Sequence, residues 1–195
     1  MPLGANKAAI MGVAGVSTGD VVLLATETAS SDSTISFTSG INATYGEYVF
    51  KFYDIHPSSD GPYFGFQVNV SGQSGYNETI TATYFHGYNS ESGSDSLGYH
   101  TSFDQAQGTG LQYISSDVDN DADSSLSGEL RIFNPSDTTH VTHFISRTTW
   151  VYNAASAYDG LVAGYVNATG AITEVQFKFG AGNIDTGKIK LWGVK

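Results

Sequence analysis

The chain of 195 residues has no cysteine. Disulfides and thiolate-bound metals are therefore excluded, and the residue says nothing about redox compartment. Basic residues are also scarce, at 8 against 19 acidic, for a net charge of −11. Nucleic acid and anionic membrane surfaces need a positive footprint, so neither is an expected partner. No apolar run approaches the roughly 20 residues that a membrane span requires. The most apolar stretch lies near the start, where Lys7 precedes alanines and valines. It is broken by Gly12, Gly15, Ser17, Thr18, Gly19 and Asp20, which argues against a secretory signal as well as against membrane insertion. Also missing are a nucleophile elbow, a paired-carboxylate signature and a phosphate-binding loop. A non-enzymatic protein is the expectation.

What the chain does have is 12 Tyr, 11 Phe and 23 Gly, with only 4 Pro and 14% charged residues. This suits many short aromatic strands joined by tight turns and does not suit a helical bundle. The length is enough for one sizeable core and short for two. Period-two alternation recurs along the chain. Ile35 and Phe37 alternate, then Tyr48, Phe50 and Phe52, then Phe64, Phe66, Val68 and Val70. The second and third of these runs are separated by His56-Pro57 and a Ser/Asp/Gly stretch and read as an antiparallel pair. Further strands are expected over Thr79–His86, Tyr99–Phe103, Leu111–Ile114, Glu129–Phe133, His140–Tyr152 and Leu161–Asn167. The last residues, Ala171–Lys195, read as a closing hairpin turned at Gly180, Gly182 and Asn183. The fold class expected is all-β: a single antiparallel β-sandwich, jelly-roll-like, of roughly nine to eleven strands. The domain organisation expected is an N-terminal arm over residues 1–30 and a sandwich over 31–195.

The first thirty residues differ from the rest, being rich in Ala, Gly and Val and free of large aromatics until Phe37. They offer a short helix over Asn6–Met11 and a short strand over Val21–Leu24. The segment reads either as a flexible leader or as an arm that docks on a larger assembly through Leu3, Ile10, Met11, Val13 and Val16.

Four constellations bear on chemistry. Asp117, Asp119, Asp121 and Asp123 stand at every second position, a spacing that supplies hard oxygen ligands to calcium in EF-hand-like loops. Yet Ala122 occupies the sixth position, where that loop needs Gly, and Gly128 the twelfth, where it needs Glu. The stretch is either a calcium loop or a solvated acidic loop. His140 and His143 would fall on opposite faces of one strand, so they cannot share a metal. His56, His86 and His100 read as isolated surface or edge residues. The third constellation is aromatic. Tyr63, Tyr76, Tyr88, Tyr99 and Tyr113, with Trp150, Tyr152 and Tyr158, lie near expected loop ends, where rings with polar tips stack on sugars or pack at an interface; ordinary core packing is the competing reading. Finally, Asn42, Asn69, Asn77 and Asn167 begin N-x-S/T sequons and read as turn residues rather than glycosylation sites.

The ending AITEVQFKFGAGNIDTGKIKLWGV, with Phe177, Gly180, Asn183, Ile184, Gly187, Ile189, Leu191, Trp192 and Gly193, resembles the C-terminal pattern of β-sandwich structural proteins of tailed bacteriophages. Residues 127–139 (SGELRIFNPSDTT) and the opening MPLGANKAAIMGVAG are similar to other parts of such proteins. Trp192 stands where the pattern has Tyr, and residues 33–126 carry none of it. The resemblance implies a virion surface component, either a capsid decoration or cement protein or a head or tail fibre module. It further implies other virion proteins as partners and a homo-oligomer, with a trimer favoured. Its motifs specify packing and not chemistry. The alternative expectation is a carbohydrate-binding module that recognises a host surface glycan through loop aromatics and Asp or Asn side chains.

Overall fold

The computed structural model describes residues 20–152 and 155–195. The arm residues Leu3, Ile10, Met11, Val13 and Val16 and the helix expected over Asn6–Met11 lie outside the described residues. Thirteen strands run through the described residues: β1 (Val21–Thr28), β2 (Ile35–Phe37), β3 (Glu47–Pro57), β4 (Phe64–Val70), β5 (Ile80–Ser90), β6 (Asp95–Tyr99) and β7 (Gln105–Gly108). They continue as β8 (Gln112–Tyr113), β9 (Leu126–Phe133), β10 (Thr142–Tyr152), β11 (Ser156–Val166), β12 (Ile172–Phe179) and β13 (Ile184–Val194). No helix among the described residues is long and apolar enough to cross a membrane.

The strands form two antiparallel sheets packed face to face. The larger has nine strands in the order β1-β13-β3-β9-β10-β11-β5-β6, with β7 also paired to β5; the smaller has four, in the order β2-β12-β4-β8. This is the all-β sandwich that the alternation predicts. Sheets of nine and four strands are not the matched pair of a jelly roll, so the jelly-roll detail of the expectation finds no support. β10 shows how the pattern encodes a face. Thr142, Phe144, Ser146, Thr148 and Trp150 are buried, while His143, Ile145, Arg147 and Thr149 between them are exposed. The outer face exposes Tyr53, Phe85 and Ile145 among polar side chains and is laced by cross-strand pairs. Arg147 on β10 makes two hydrogen bonds to Asp159 on β11, at 3.0 and 2.8 Å, and Arg131 on β9 reaches Glu47 on β3 at 3.0 Å.

Two expected hairpins are overturned. β12 and β13 do not pair: β12 lies in the small sheet and β13 in the large one. β3 and β4 are likewise split between the sheets. Alternation reports that one face is buried but not which sheet carries the strand, so a chain that crosses the sandwich looks like a hairpin in sequence. The two crossings run side by side. Ser58 N–H donates to the Asn183 carbonyl at 3.0 Å, and Asn183 N–H donates to Ser58 Oγ at 2.8 Å.

The strand expected over Val21–Leu24 extends to Thr28 and pairs with β13 along the edge of the large sheet. Residues assigned to the arm in sequence thus belong to the sheet. β8 falls within the strand expected over Leu111–Ile114, the strand expected over Tyr99–Phe103 is instead β6 and ends at Tyr99, and β7 falls in a stretch too polar to show alternation. The core is one continuous cluster drawn from both sheets. Phe177 of β12 sits at its centre, with ring centroids 5.1 Å from Phe50, 5.2 Å from Phe52, 6.1 Å from Phe64 and 6.2 Å from Phe37.

Four strands cannot cover nine. The contacts show where cover ends: β2 and β12 lie over β3 (Phe37 and Phe177 on Phe50). β4 lies over β3 and β10 (Phe64 on Phe52, Phe66 on Phe144). Just past β8, the Ile114 carbonyl accepts a hydrogen bond from Thr148 Oγ1 of β10. Beyond β10 the inner face of β11 and β5 stays buried at Ile80, Tyr84, Val162 and Val166, and the functional candidate lies at the other end of these strands, around Tyr88 and Tyr158.

Candidate binding cleft

Register places the aromatic residues. Tyr88 of β5 lies opposite Tyr158 of β11, which lies opposite Trp150 of β10, so the three form one cross-strand row on the inner face. Tyr158 is sandwiched, with Tyr88 stacked on one side at 5.0 Å and 11° and Tyr152 on the other at 4.6 Å and 16°. Two residues back along β5, His86 lies opposite Gly160. A Cβ at Gly160 would come within 2.8 Å of the Trp150 ring and 3.2 Å of the Tyr84 hydroxyl. The missing side chain is what allows rings to gather here.

His86 is 6% exposed. Its ring lies on that of His100, with centroids 3.8 Å apart and planes tilted by 34°, and meets Tyr158 edge-on at 4.9 Å. His100 comes from the segment after β6 and is held by its N–H donating to the Tyr84 carbonyl at 3.1 Å. Asp104 fastens the same segment, accepting from Tyr84 N–H at 2.8 Å and from the Tyr99 hydroxyl.

The opposite wall is the stretch Ser115–Val118. Ser115 Oγ accepts from Phe64 N–H at 3.0 Å, and Val118 exchanges backbone hydrogen bonds with Pro62 and Gly61 at 3.0 and 3.1 Å. Between these anchors Asp117 has φ of +23°, a conformation that non-glycine residues rarely adopt and that the surrounding anchors impose.

The result is a cleft of about 280 Å3 walled by His86, Tyr88, His100, Phe103, Ser116, Asp117, Tyr152 and Tyr158. Its electrostatics follow from its dryness. Burial, and then the neighbouring His100, push the His86 imidazole down to about 4 from its ordinary 6.5. Burial, and then Asp60, raise the Asp117 carboxyl above the ordinary carboxylate value. Burial also raises the phenols of Tyr63, Tyr152 and Tyr158, with Asp117 contributing to each. Two polar atoms of the lining, His86 Nδ1 and Ser116 Oγ, are buried without a hydrogen-bond partner. The Ser116 hydroxyl is near enough to Tyr84 to lower its phenol pKa, yet neither hydroxyl completes a hydrogen bond to a protein atom.

The structure sorts the sequence-selected residues. Of the five tyrosines, Tyr88 lines the cleft. Tyr63 packs edge-on against Phe103 and Tyr113 at 5.1 and 5.3 Å, beside it. Tyr76 donates to Glu174 at 2.8 Å, elsewhere on the molecule. Tyr99 is 59% exposed. Trp150 and Tyr158, expected near loop ends, are buried within the large sheet.

Asp117, Asp119, Asp121 and Asp123 do not converge. Asp117 lines the cleft, Asp119 accepts from Ser124 Oγ at 2.8 Å within its own loop, and Asp121 and Asp123 are exposed. No group of three or more His, Asp or Glu side chains among the described residues is arranged to hold a metal ion. His140 and His143 are both exposed, and His140 pairs with Asp137 at 2.9 Å. His86 and His100 are not the isolated residues that the sequence suggested. The spacing Tyr84-x-His86-x-Tyr88 signals a shared face, but nothing in the sequence signals that His100 folds back onto it. Asn42 is a turn residue as expected: its Oδ1 accepts from Thr44 N–H at 2.8 Å, and its carbonyl accepts from the buried Tyr48 hydroxyl at 2.8 Å.

No protein-family model matches the chain, and no curated protein resembles it in sequence.

Proposed function

We propose that the chain is a non-enzymatic structural protein of a bacteriophage particle, displayed on the surface as a capsid decoration or cement protein or as a head or tail fibre component. The observation that carries this reading is the ending over Phe177–Gly193, which resembles that of phage β-sandwich proteins. Its residues do packing work: Phe177, Ile184, Ile189 and Leu191 are all buried. Attachment runs through the apolar residues before β1, including Leu3, Ile10, Met11, Val13 and Val16, and the particle carries the chain as a homo-oligomer, with a trimer favoured. An antibody raised against the sandwich is expected to decorate purified particles in immunogold images; unlabelled particles from a lysate that contains the protein overturn the reading. Removing residues 1–19, which leaves β1 whole, is expected to give a folded, soluble body that no longer joins the particle.

The second reading, recognition of a host surface glycan, is favoured by a specific observation. The aromatic residues and an aspartate that suggested it in sequence now meet, in part, in the cleft beyond β10.

A further inference from the structure

We propose that the cleft between β5, β11 and the Ser115–Val118 stretch takes one neutral pyranose ring of a glycan, with Asp117, His86 and Ser116 as its polar contacts and the tyrosine stack as its wall. This rests on the glycan-recognition reading and assigns it to one site.

The cleft sets demands that exclude other ligands. An anion would meet the Asp117 carboxylate with Asp60 behind it. A metal ion would need three converging ligands, and none of the described residues provides them. A quaternary ammonium group would answer the carboxylate and the rings, but it offers no hydrogen bond to His86 Nδ1 or Ser116 Oγ, both buried and unpartnered. A sugar ring meets each demand. Its vicinal hydroxyls donate to the Asp117 carboxylate, and others pair with His86 Nδ1 and Ser116 Oγ once these side chains, fully buried in the free protein, turn towards the ligand. Its C–H face lies against the free outer face of one half-buried end ring of the stack, Tyr88 or Tyr152. At about 280 Å3 the cleft lies just below the usual range of ligand sites, about 300–1,000 Å3, and suits a single ring, with the rest of a chain running out to solvent. A buried polar site that rejects ligands unable to satisfy it is also a selective one.

The test uses the full chain. A printed glycan array is followed by ligand-observed NMR with the methyl glycosides of neutral hexoses and, in parallel, with choline. Asp117→Asn is the main variant, since Asn keeps the shape and tolerates the left-handed backbone. Ser116→Ala is the second, and Asp121→Asn in the exposed loop is the control. The expected result is binding of neutral hexose-terminated glycans, weakened at least tenfold by Asp117→Asn and by Ser116→Ala and unchanged by Asp121→Asn. If the wild type binds glycans and both cleft variants bind equally well, the cleft is not the site, although glycan recognition stands. If the wild type binds nothing on the array, both fall. Asp117-dependent binding of choline, or of sialylated glycans alone, overturns the neutral-sugar assignment. Should a variant fail to fold, chemical-shift mapping on the wild type decides: perturbations must centre on His86, His100 and the Tyr88–Tyr158–Tyr152 stack, and perturbations confined elsewhere overturn the assignment.

Discussion

At the scale of single residues, the cleft is made from groups held in states that water would not choose. His86 is the clearest. Its folded-state value of about 4 lies below its ordinary 6.5, so the unfolded chain takes up a proton as pH falls through 6.5 while the folded chain refuses it until about 4. Stability contributed by the neutral imidazole is therefore complete above 6.5 and is lost between 6.5 and 4. The loss should reach roughly 1–3 kcal/mol after allowance for solvent screening. His100, Tyr84, Trp150 and Tyr158 surround the ring, and the phenols do not titrate in this window. Asp117 works the other way: its raised carboxyl accepts a proton more readily in the folded state, so acidification relieves part of the loss. Thermal melts from pH 7 to pH 4 are expected to show a falling midpoint, with a shallower slope in His86→Gln; identical slopes in the two proteins would remove His86 as the cause. Gly160→Ala tests the space that gathers these rings. Its Cβ would stand 2.8 Å from Trp150, and a destabilisation of about 1–3 kcal/mol is expected from overpacking, read by denaturant titration. Little of this was legible in the sequence. Tyr88 and Asp117 could be picked out as residues able to bind, but the burial of His86 depends on a glycine 74 positions away in the chain, which no local pattern records.

At the scale of elements, alternation located most strands and failed where they change sheet. β4 is buried along nearly its whole length, and the hydrophobic run at Phe64–Val70 announces that burial. The same run says nothing of whether β3 lies beside it or across from it. What marks a crossing is backbone conformation, visible only as scattered glycines. β13 carries two register shifts against β3, and within the second, between Thr186 and Lys188, Gly187 adopts φ of +119°, where a Cβ would lie 2.6 Å from the Asp54 carbonyl oxygen. Asp54, facing it, has φ of +51° and donates its N–H to Ser127 Oγ at 3.2 Å. Irregularities of this kind bend strands and increase their twist, and this one lies close to the Ser58–Asn183 contact where both connections cross between the sheets. Gly187→Ala is expected to destabilise the fold by about 1–3 kcal/mol from backbone conformation alone, with the contact to Asp54 adding to it. Denaturant titration checks this, and a change below the scatter of the titration would show that the bulge tolerates a side chain. By contrast, the solvent-exposed pair Arg147–Asp159 should contribute little for all its geometry.

At the scale of the whole molecule, the mismatch between the sheets divides labour. One end of the sandwich holds the aromatic core around Phe177; the Tyr88–Tyr158 end of β5 and β11 holds the cleft, where polar atoms stay unpaired and a carboxylate is kept partly dry. Buried residues of β5, β10 and β11, including Tyr84, Phe144, Trp150 and Val162, belong to the same continuous cluster as Phe50, Phe177 and Leu191, so unfolding is expected to be a single cooperative transition. The two tryptophans are placed to test it, Trp150 on β10 beside the cleft and Trp192 on β13 near the other edge of the sheet. In Trp192→Phe the remaining fluorescence reports the cleft end, and in Trp150→Phe it reports the covered end. In each variant the fluorescence midpoint in denaturant should coincide with that of far-ultraviolet circular dichroism. An earlier fluorescence transition in Trp192→Phe alone would mean that the cleft end opens as a separate unit. Phe177→Ala then discriminates further. It removes a ring that touches Phe37, Phe50, Phe52 and Phe64 and should lower stability by about 3–5 kcal/mol. In one body, both tryptophan reporters shift by that amount, although Trp150 has no contact with the deleted ring; in two bodies, only the Trp192 end moves.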